Sequence, residues 1–247
     1  SGNIGVQWDV SDEIMTYAKY SRGYKGPAFN VFFNQNPTQL NPIEAETSDA
    51  FEIGLKATVF DGTTTINLAL FDATYDNFQA NAFDVLNGAV ITRLTNAGEI
   101  STSGVELDFV SAPFEGLTLS GGFAFTDAQI EEFNLPPNSP PGAGNLSGER
   151  LPFAPEFKGS LMAEYRWEAF AGYDMFVNGS ASYTDEQYTD LPNAVTGPNP
   201  LLLIDSYTLI DASIGVSPQS NAWRLTLVGK NLSVESYASL LTPGGPG

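Results

Sequence analysis

Between residues 48 and 78 apolar and polar residues alternate one by one. Phe51, Ile53, Leu55, Ala57 and Val59 share one face, and Glu52, Gly54, Lys56 and Thr58 share the other. This period of two marks a strand with one apolar and one polar face. Asp61-Gly62 then reads as a tight hairpin turn, and Ile66, Leu68 and Leu70 resume the alternation. Both arms exceed the usual strand length of about 5–6 residues. The same pattern predicts strands over 4–10, 13–22, 90–110, 117–126, 155–167, 173–184, 206–216 and 222–231.

Short connections are expected near residues 11, 61, 113, 170 and 219. Long ones, rich in Asn, Pro and Gly, are expected over 23–47, 81–89, 127–154 and 185–205, with Asn87-Gly88 as a turn in the second. Ten strands with long connections kept to one end predict an all-β fold, an antiparallel transmembrane β-barrel rather than a soluble sandwich. The polar faces carry Lys19, Glu52, Lys56, Glu106, Lys158, Glu164, Arg166, Arg224 and Lys230. Charges of both signs suit a wet lumen better than a packed core. Tyr17, Tyr20, Tyr165, Trp167, Tyr173, Tyr183, Tyr207 and Trp223 fall near predicted strand ends, as interfacial girdles would.

Composition narrows the chemistry. The net charge is −19, with 29 acidic and 10 basic residues among 247. That balance argues against nucleic acid as a partner, since phosphates need Lys and Arg. Cysteine and histidine are both absent. Thiolate chemistry, Ser-His-Asp triads and His- or Cys-based metal sites are therefore excluded. No Asp-rich calcium-loop spacing appears, and Glu131-Glu132 reads as a solvated acidic pair. No catalytic residue, metal ligand or cofactor is assigned. No apolar run is long enough for a membrane-spanning helix.

Five motifs occur in order along the chain: Gly23-Tyr24-Lys25, Glu52-x-Gly54-x-Lys56, Asn96-Ala97-Gly98, Gly104-Val105-Glu106, and Asn231-Leu232 with Tyr237. In this order they resemble the C-terminal barrel of TonB-dependent outer-membrane receptors. The resemblance implies that residues 1–247 are a single partial barrel domain, about ten strands of a 22-strand barrel. The plug, its energy-coupling box and the last strand would lie outside the chain. It also implies outer-membrane lipid around the barrel and an inner-membrane TonB complex acting through the plug.

On that footing the expected activity is energy-coupled uptake of a bulky, scarce nutrient in the outer membrane of a Gram-negative bacterium. The cargo would be a ferric siderophore, a cobalamin-like cofactor or a glycan. Candidate ligand contacts are Phe29, Phe32 and Phe33 in the first long connection, and Phe83 and Arg93 further on. The few basic residues favour a neutral ligand. The alternatives are a self-contained small barrel acting as a passive porin, or a barrel hydrolase. The latter lacks a histidine base.

Overall fold

A computed structural model describes residues 1–29, 42–86, 89–134, 145–191 and 199–242, with side chains left out for 81–93. Ten strands form one antiparallel sheet in chain order. They are β1 (Gly2–Ser11), β2 (Ile14–Lys25), β3 (Glu46–Val59), β4 (Thr64–Asp76), β7 (Gly98–Phe114), β8 (Leu117–Phe133), β9 (Phe157–Phe170), β10 (Tyr173–Thr184), β13 (Tyr207–Pro218) and β14 (Leu225–Gly229). Two smaller ladders stand in the long connections. They pair β5 (Gln79–Leu86) with β6 (Ala89–Asn96), and β11 (Gln187–Tyr188) with β12 (Leu203–Ile204).

Three sequence expectations change. The segment 81–89 lies in the β5–β6 hairpin rather than a loop, and the Asn87-Gly88 turn lies outside the described residues. The predicted strand 90–110 is two strands broken at Ala97, where Gly98 takes a φ of +121°. β8 runs on to Phe133, past the predicted stop at 126, because polar Asp127 and Gln129 continue the ladder against Ser103 and Ser101. In the first and third cases a polar stretch was read as loop although its backbone is paired.

Cross-strand register keeps the two faces separate along the sheet. One polar row reads Tyr17, Gly54, Ala69, Glu106, Ala124 and Lys158; the next reads Met15, Lys56, Asn67, Asp108, Gly122 and Ser160. On this face Tyr17 Oη donates to Glu52 Oε1 at 2.6 Å, and within the second row Asn67 Nδ2 donates to Asp108 Oδ1 at 2.9 Å. The opposite face is apolar and open, with Ile4, Val6, Trp8, Phe51, Ile53, Leu225 and Leu227 each more than half exposed. On that face an apolar residue gives way to a polar one along a band that steps by two residues between β3 and β4, where Phe51 lies opposite Asp72: Tyr20 to Arg22, Phe51 to Asp49, Leu70 to Asp72, Val105 to Ser103, Phe125 to Asp127 and Tyr183 to Asp185. The apolar run from Phe51 to Val59 matches the about 9–11 residues of a membrane-crossing strand.

Aromatic rings gather on the apolar face at two heights. Tyr20 meets Phe51, and Phe123, Phe157 and Tyr183 form a chain, near the polar switch. Phe114, Tyr165 and Trp167 group at the short-turn end, as do Phe170, Tyr173 and Trp223. Tyr17 and Tyr207 leave the expected girdles, because register puts both on the polar face.

At five glycines the ring of the residue directly opposite on the neighbouring strand covers the glycine: Gly54 with Tyr17, Gly104 with Phe71, Gly121 with Phe109, Gly159 with Phe123 and Gly215 with Phe176. In each pair the ring lies where a Cβ would stand. A strand glycine leaves backbone uncovered, and a cross-strand ring covers it and pins the register. Gly54 and Gly104, read as motif residues in the sequence, are therefore ring seats. Phe176 is almost fully buried between its seat and two cations, with Arg224 at 4.2 Å and Arg166 at 5.4 Å from the ring centroid.

Candidate ligand-binding mouth

The short connections, 12–13, 60–63, 115–116, 171–172 and 219–224, lie at one end of the sheet, and the long ones lie at the other. Loops held by a rigid scaffold are where binding groups concentrate. The long-connection end is therefore the candidate site.

The first long connection leaves β2 and returns to β3 through a closed neck. Ala28 and Ile43 exchange two backbone hydrogen bonds, 3.1 and 2.7 Å. Gln79, buried at the start of β5, donates through Nε2 to the carbonyls of Gly26 (3.0 Å) and Glu44 (2.9 Å), while its N–H donates to Glu46 Oε2 (2.8 Å). Asn96 binds the same strand from β6. Its Nδ2 donates to Glu44 O and Asn77 O, and its Oδ1 accepts from Glu44 N at 2.8 Å. Two amides thus staple the first long connection to the second hairpin. Asn96 was visible as a motif residue; Gln79 was not, because a lone amide beside a predicted loop has no periodic signature.

Phe29 follows this neck and is 59% exposed. Phe32 and Phe33 lie outside the described residues. Phe83 and Arg93 lie on the β5–β6 hairpin, with side chains outside the described set.

The other motif residues have local explanations. Lys25 pairs with Glu46 at 3.5 Å, and a Cβ at Gly23 would run into Ser48 Oγ. Tyr24 is exposed beyond the polar switch. Glu52 accepts from Tyr17, Lys56 lies opposite Asn67, and Glu106 shares a polar row with Gly54. Asn231, at a φ of +49°, closes a turn by exchanging hydrogen bonds with the backbone of Glu235, and its N–H donates to Asp211 at 2.7 Å. Tyr237 then stacks on Tyr207 with centroids 4.2 Å apart.

The third long connection is tied down by an apolar cluster of Ile100, Ile130 and Leu146, with Tyr75, Phe78, Phe133 and Leu151 packed on it. Beside it Glu99, beyond the polar switch, has its carboxyl pushed above the usual range, first by burial and then by Asp76, Glu131 and Glu132. A raised carboxyl pKa means that the folded state binds the proton more tightly than the unfolded one. Ionised Glu99 therefore works against the fold at neutral pH, and the penalty fades as pH falls through the raised value. Limited proteolysis of the 97–103 and 127–134 segments should slow between pH 7 and pH 5. Glu99→Gln should slow it at pH 7 and flatten the dependence; an unchanged pH profile in that variant would remove Glu99 as the cause.

A sheet with one membrane-type face, one wet face and its anchored loops at one end is the wall of a barrel receptor or pore. Residues 1–232 match the family of TonB dependent receptor-like β-barrels, and the chain belongs to that family. It is 26% identical over 184 residues to a ferric-pyoverdine BN7/BN8 receptor of Pseudomonas putida, covering 72% of this chain and 21% of that protein. It is 25% identical over 188 residues to the metal-pseudopaline receptor CntO of Pseudomonas aeruginosa, covering 76% and 24%. Among solved structures it resembles the ferric yersiniabactin uptake receptor FyuA of Yersinia pestis, with a TM-score of 0.75 at 18% identity over 98% of this chain and 33% of that one. It also resembles BauA, the ferric preacinetobactin receptor of Acinetobacter baumannii, with a TM-score of 0.68 at 21% identity over 95% and 32%. The chain thus spans about a fifth to a third of the length of these relatives.

Proposed function

We propose that residues 1–247 are the later part of the barrel of an energy-coupled outer-membrane receptor. Its cargo is a bulky, scarce nutrient, with a ferric siderophore the leading class ahead of a cobalamin-like cofactor or a glycan. The observation that carries this reading is the stapled mouth on a ten-strand family barrel: the described bases of the long connections are tied to one another and to the sheet, as a binding site needs and a passive pore does not. The named relatives are siderophore or metallophore receptors, which favours iron cargo. In this reading the apolar face meets outer-membrane lipid, and the inner-membrane TonB complex acts through a plug outside this chain.

Two measurements test the reading. The native polypeptide in the outer-membrane fraction should have a mass several times the 26.5 kDa of this chain. Cells carrying the full-length receptor should take up radiolabelled iron from a purified ferric siderophore, and should lose that uptake when the coupling complex is disabled. A native mass near 26.5 kDa, or uptake indifferent to coupling, would leave a passive barrel instead.

A further inference from the structure

At the short-turn end of the wet face two cations are built around one ring. Arg166 on β9 lies opposite Phe176 on β10, and Gly215 on β13 seats the ring. Arg166 and Lys158 share one unshifted stretch of the β9–β10 ladder and one parity, so both belong to the polar face. Arg224, just ahead of β14, reaches the ring from the other side. The guanidinium carbons of Arg166 and Arg224 lie 5.4 and 4.2 Å from the ring centroid, and Phe176 is almost fully buried. Stacking holds both planar forks in place before any partner arrives.

Neither fork is filled. The carboxylates beside Arg166, Glu164 and Asp174, stand at 4.0 and 3.8 Å, beyond hydrogen-bond reach. Arg224 makes no ion pair with a described carboxylate. Each guanidinium carries five N–H donors. On the same face Ser217, opposite Asp174, buries a hydroxyl with no hydrogen-bond partner among the described residues. Buried polar groups are nearly always paired, so an unpaired one calls for a cause.

We propose that the Arg166–Phe176–Arg224 stack is the dock for a carboxylate side chain of the plug. This rests on the receptor reading, in which the plug lies outside residues 1–247, and it names where the wall holds that segment. The matched stretches are only 21–33% of the length of the relatives, so there is chain enough to supply a lumenal segment. A strand added beyond β14 cannot fill both forks. It would stand four strand spacings from β9, roughly 19 Å at about 4.8 Å each, too far to meet Arg166. A group that meets both cations has to come from the lumen, over the ring. A carboxylate suits it best, because it accepts paired N–H bonds from a guanidinium and adds the opposite charge. Two forks already ordered by stacking lose little side-chain freedom when it binds.

Zero-length coupling tests the dock. A carbodiimide joins an amine to a carboxylate in contact with it, leaving no spacer. Arg166→Lys and Arg224→Lys are made separately in the full-length receptor; each keeps the charge and adds an amine. After coupling, peptide mapping by mass spectrometry should show that both variants gain a link, absent from the parent, to the same Asp or Glu of the plug. Replacing that carboxylate by its amide should abolish the link. Links confined to Glu164, Glu168 or Asp174, links to the strand beyond β14, a plug link in one variant alone, or no link at all overturns the proposal. The receptor reading is scored separately by the native mass. A mass near 26.5 kDa leaves no plug, and both readings fall; a mass several times larger with no plug link sinks the dock alone.

Discussion

Gly104→Ala should cost the barrel about 1–3 kcal/mol, toward the upper end of what an added methyl group costs in a packed site. A Cβ there would meet the Phe125 carbonyl oxygen on one side and the Phe71 ring at 2.7 Å on the other. The ring can turn away, but the carbonyl is held in the β7–β8 ladder. Truncating the ring in Gly104→Ala/Phe71→Ala should therefore fail to restore stability. Gly54→Ala is the contrast: the three atoms nearest to its Cβ would all belong to the Tyr17 side chain, so Tyr17→Ala should suppress most of the damage. Urea unfolding of the full-length receptor in lipid vesicles, with heat-modifiable gel mobility as a second readout, would measure both cycles. Rescue of Gly104→Ala by Phe71→Ala would show that the ring, not the backbone, sets the limit.

This difference also marks how far the sequence could be read. Alternation predicted the ten strands of the main sheet in outline and the polar face of Lys19, Glu52, Lys56, Glu106, Lys158, Glu164 and Arg166, because a period of two is local and each strand carries it independently. Gly54 and Gly104 were visible as motif positions, but not as ring seats. Knowing that Gly54 faces Tyr17 and Gly104 faces Phe71 needs register, which is a relation between strands. Polarity misled at 81–89 and 127–133, where the chain stays paired after its face has passed from apolar to polar. Ladder hydrogen bonds satisfy the backbone whatever the side chains are. The mouth was the least legible part: Asn96 stood out by motif, and Gln79, which makes the more buried half of the same staple, did not.

Breaking that staple should have the second largest effect, confined to the mouth. Gln79→Ala strips the Gly26 and Glu44 carbonyls of the Gln79 amide at a buried position. Gly26 and Glu44 are themselves exposed and Glu44 O keeps its Asn96 donor, so the cost is that of two ordinary hydrogen bonds, about 0.5–1.5 kcal/mol each. Asn96→Ala removes three bonds at more exposed positions, where water partly replaces them, so its cost should be smaller. Gly98→Ala disturbs the same corner through the backbone, because its φ of +121° suits glycine and a Cβ would run into the Glu132 carbonyl. Since about 1.4 kcal/mol is a factor of ten, Gln79→Ala should raise the rate of proteolytic nicking within 26–45 by about tenfold or more. The unfolding midpoint of the main sheet should hardly move, because local opening of a loop neck is separate from global unfolding. The two amides share Glu44 O as an acceptor, so each single variant leaves it one donor and the double variant should cost more than the sum of the singles. If nicking stays at the parent rate, the neck is held by the Ala28–Ile43 bridge alone. If the whole barrel unfolds with it, the mouth and the wall are one cooperative unit, and Phe29 is positioned by the barrel rather than by the staple.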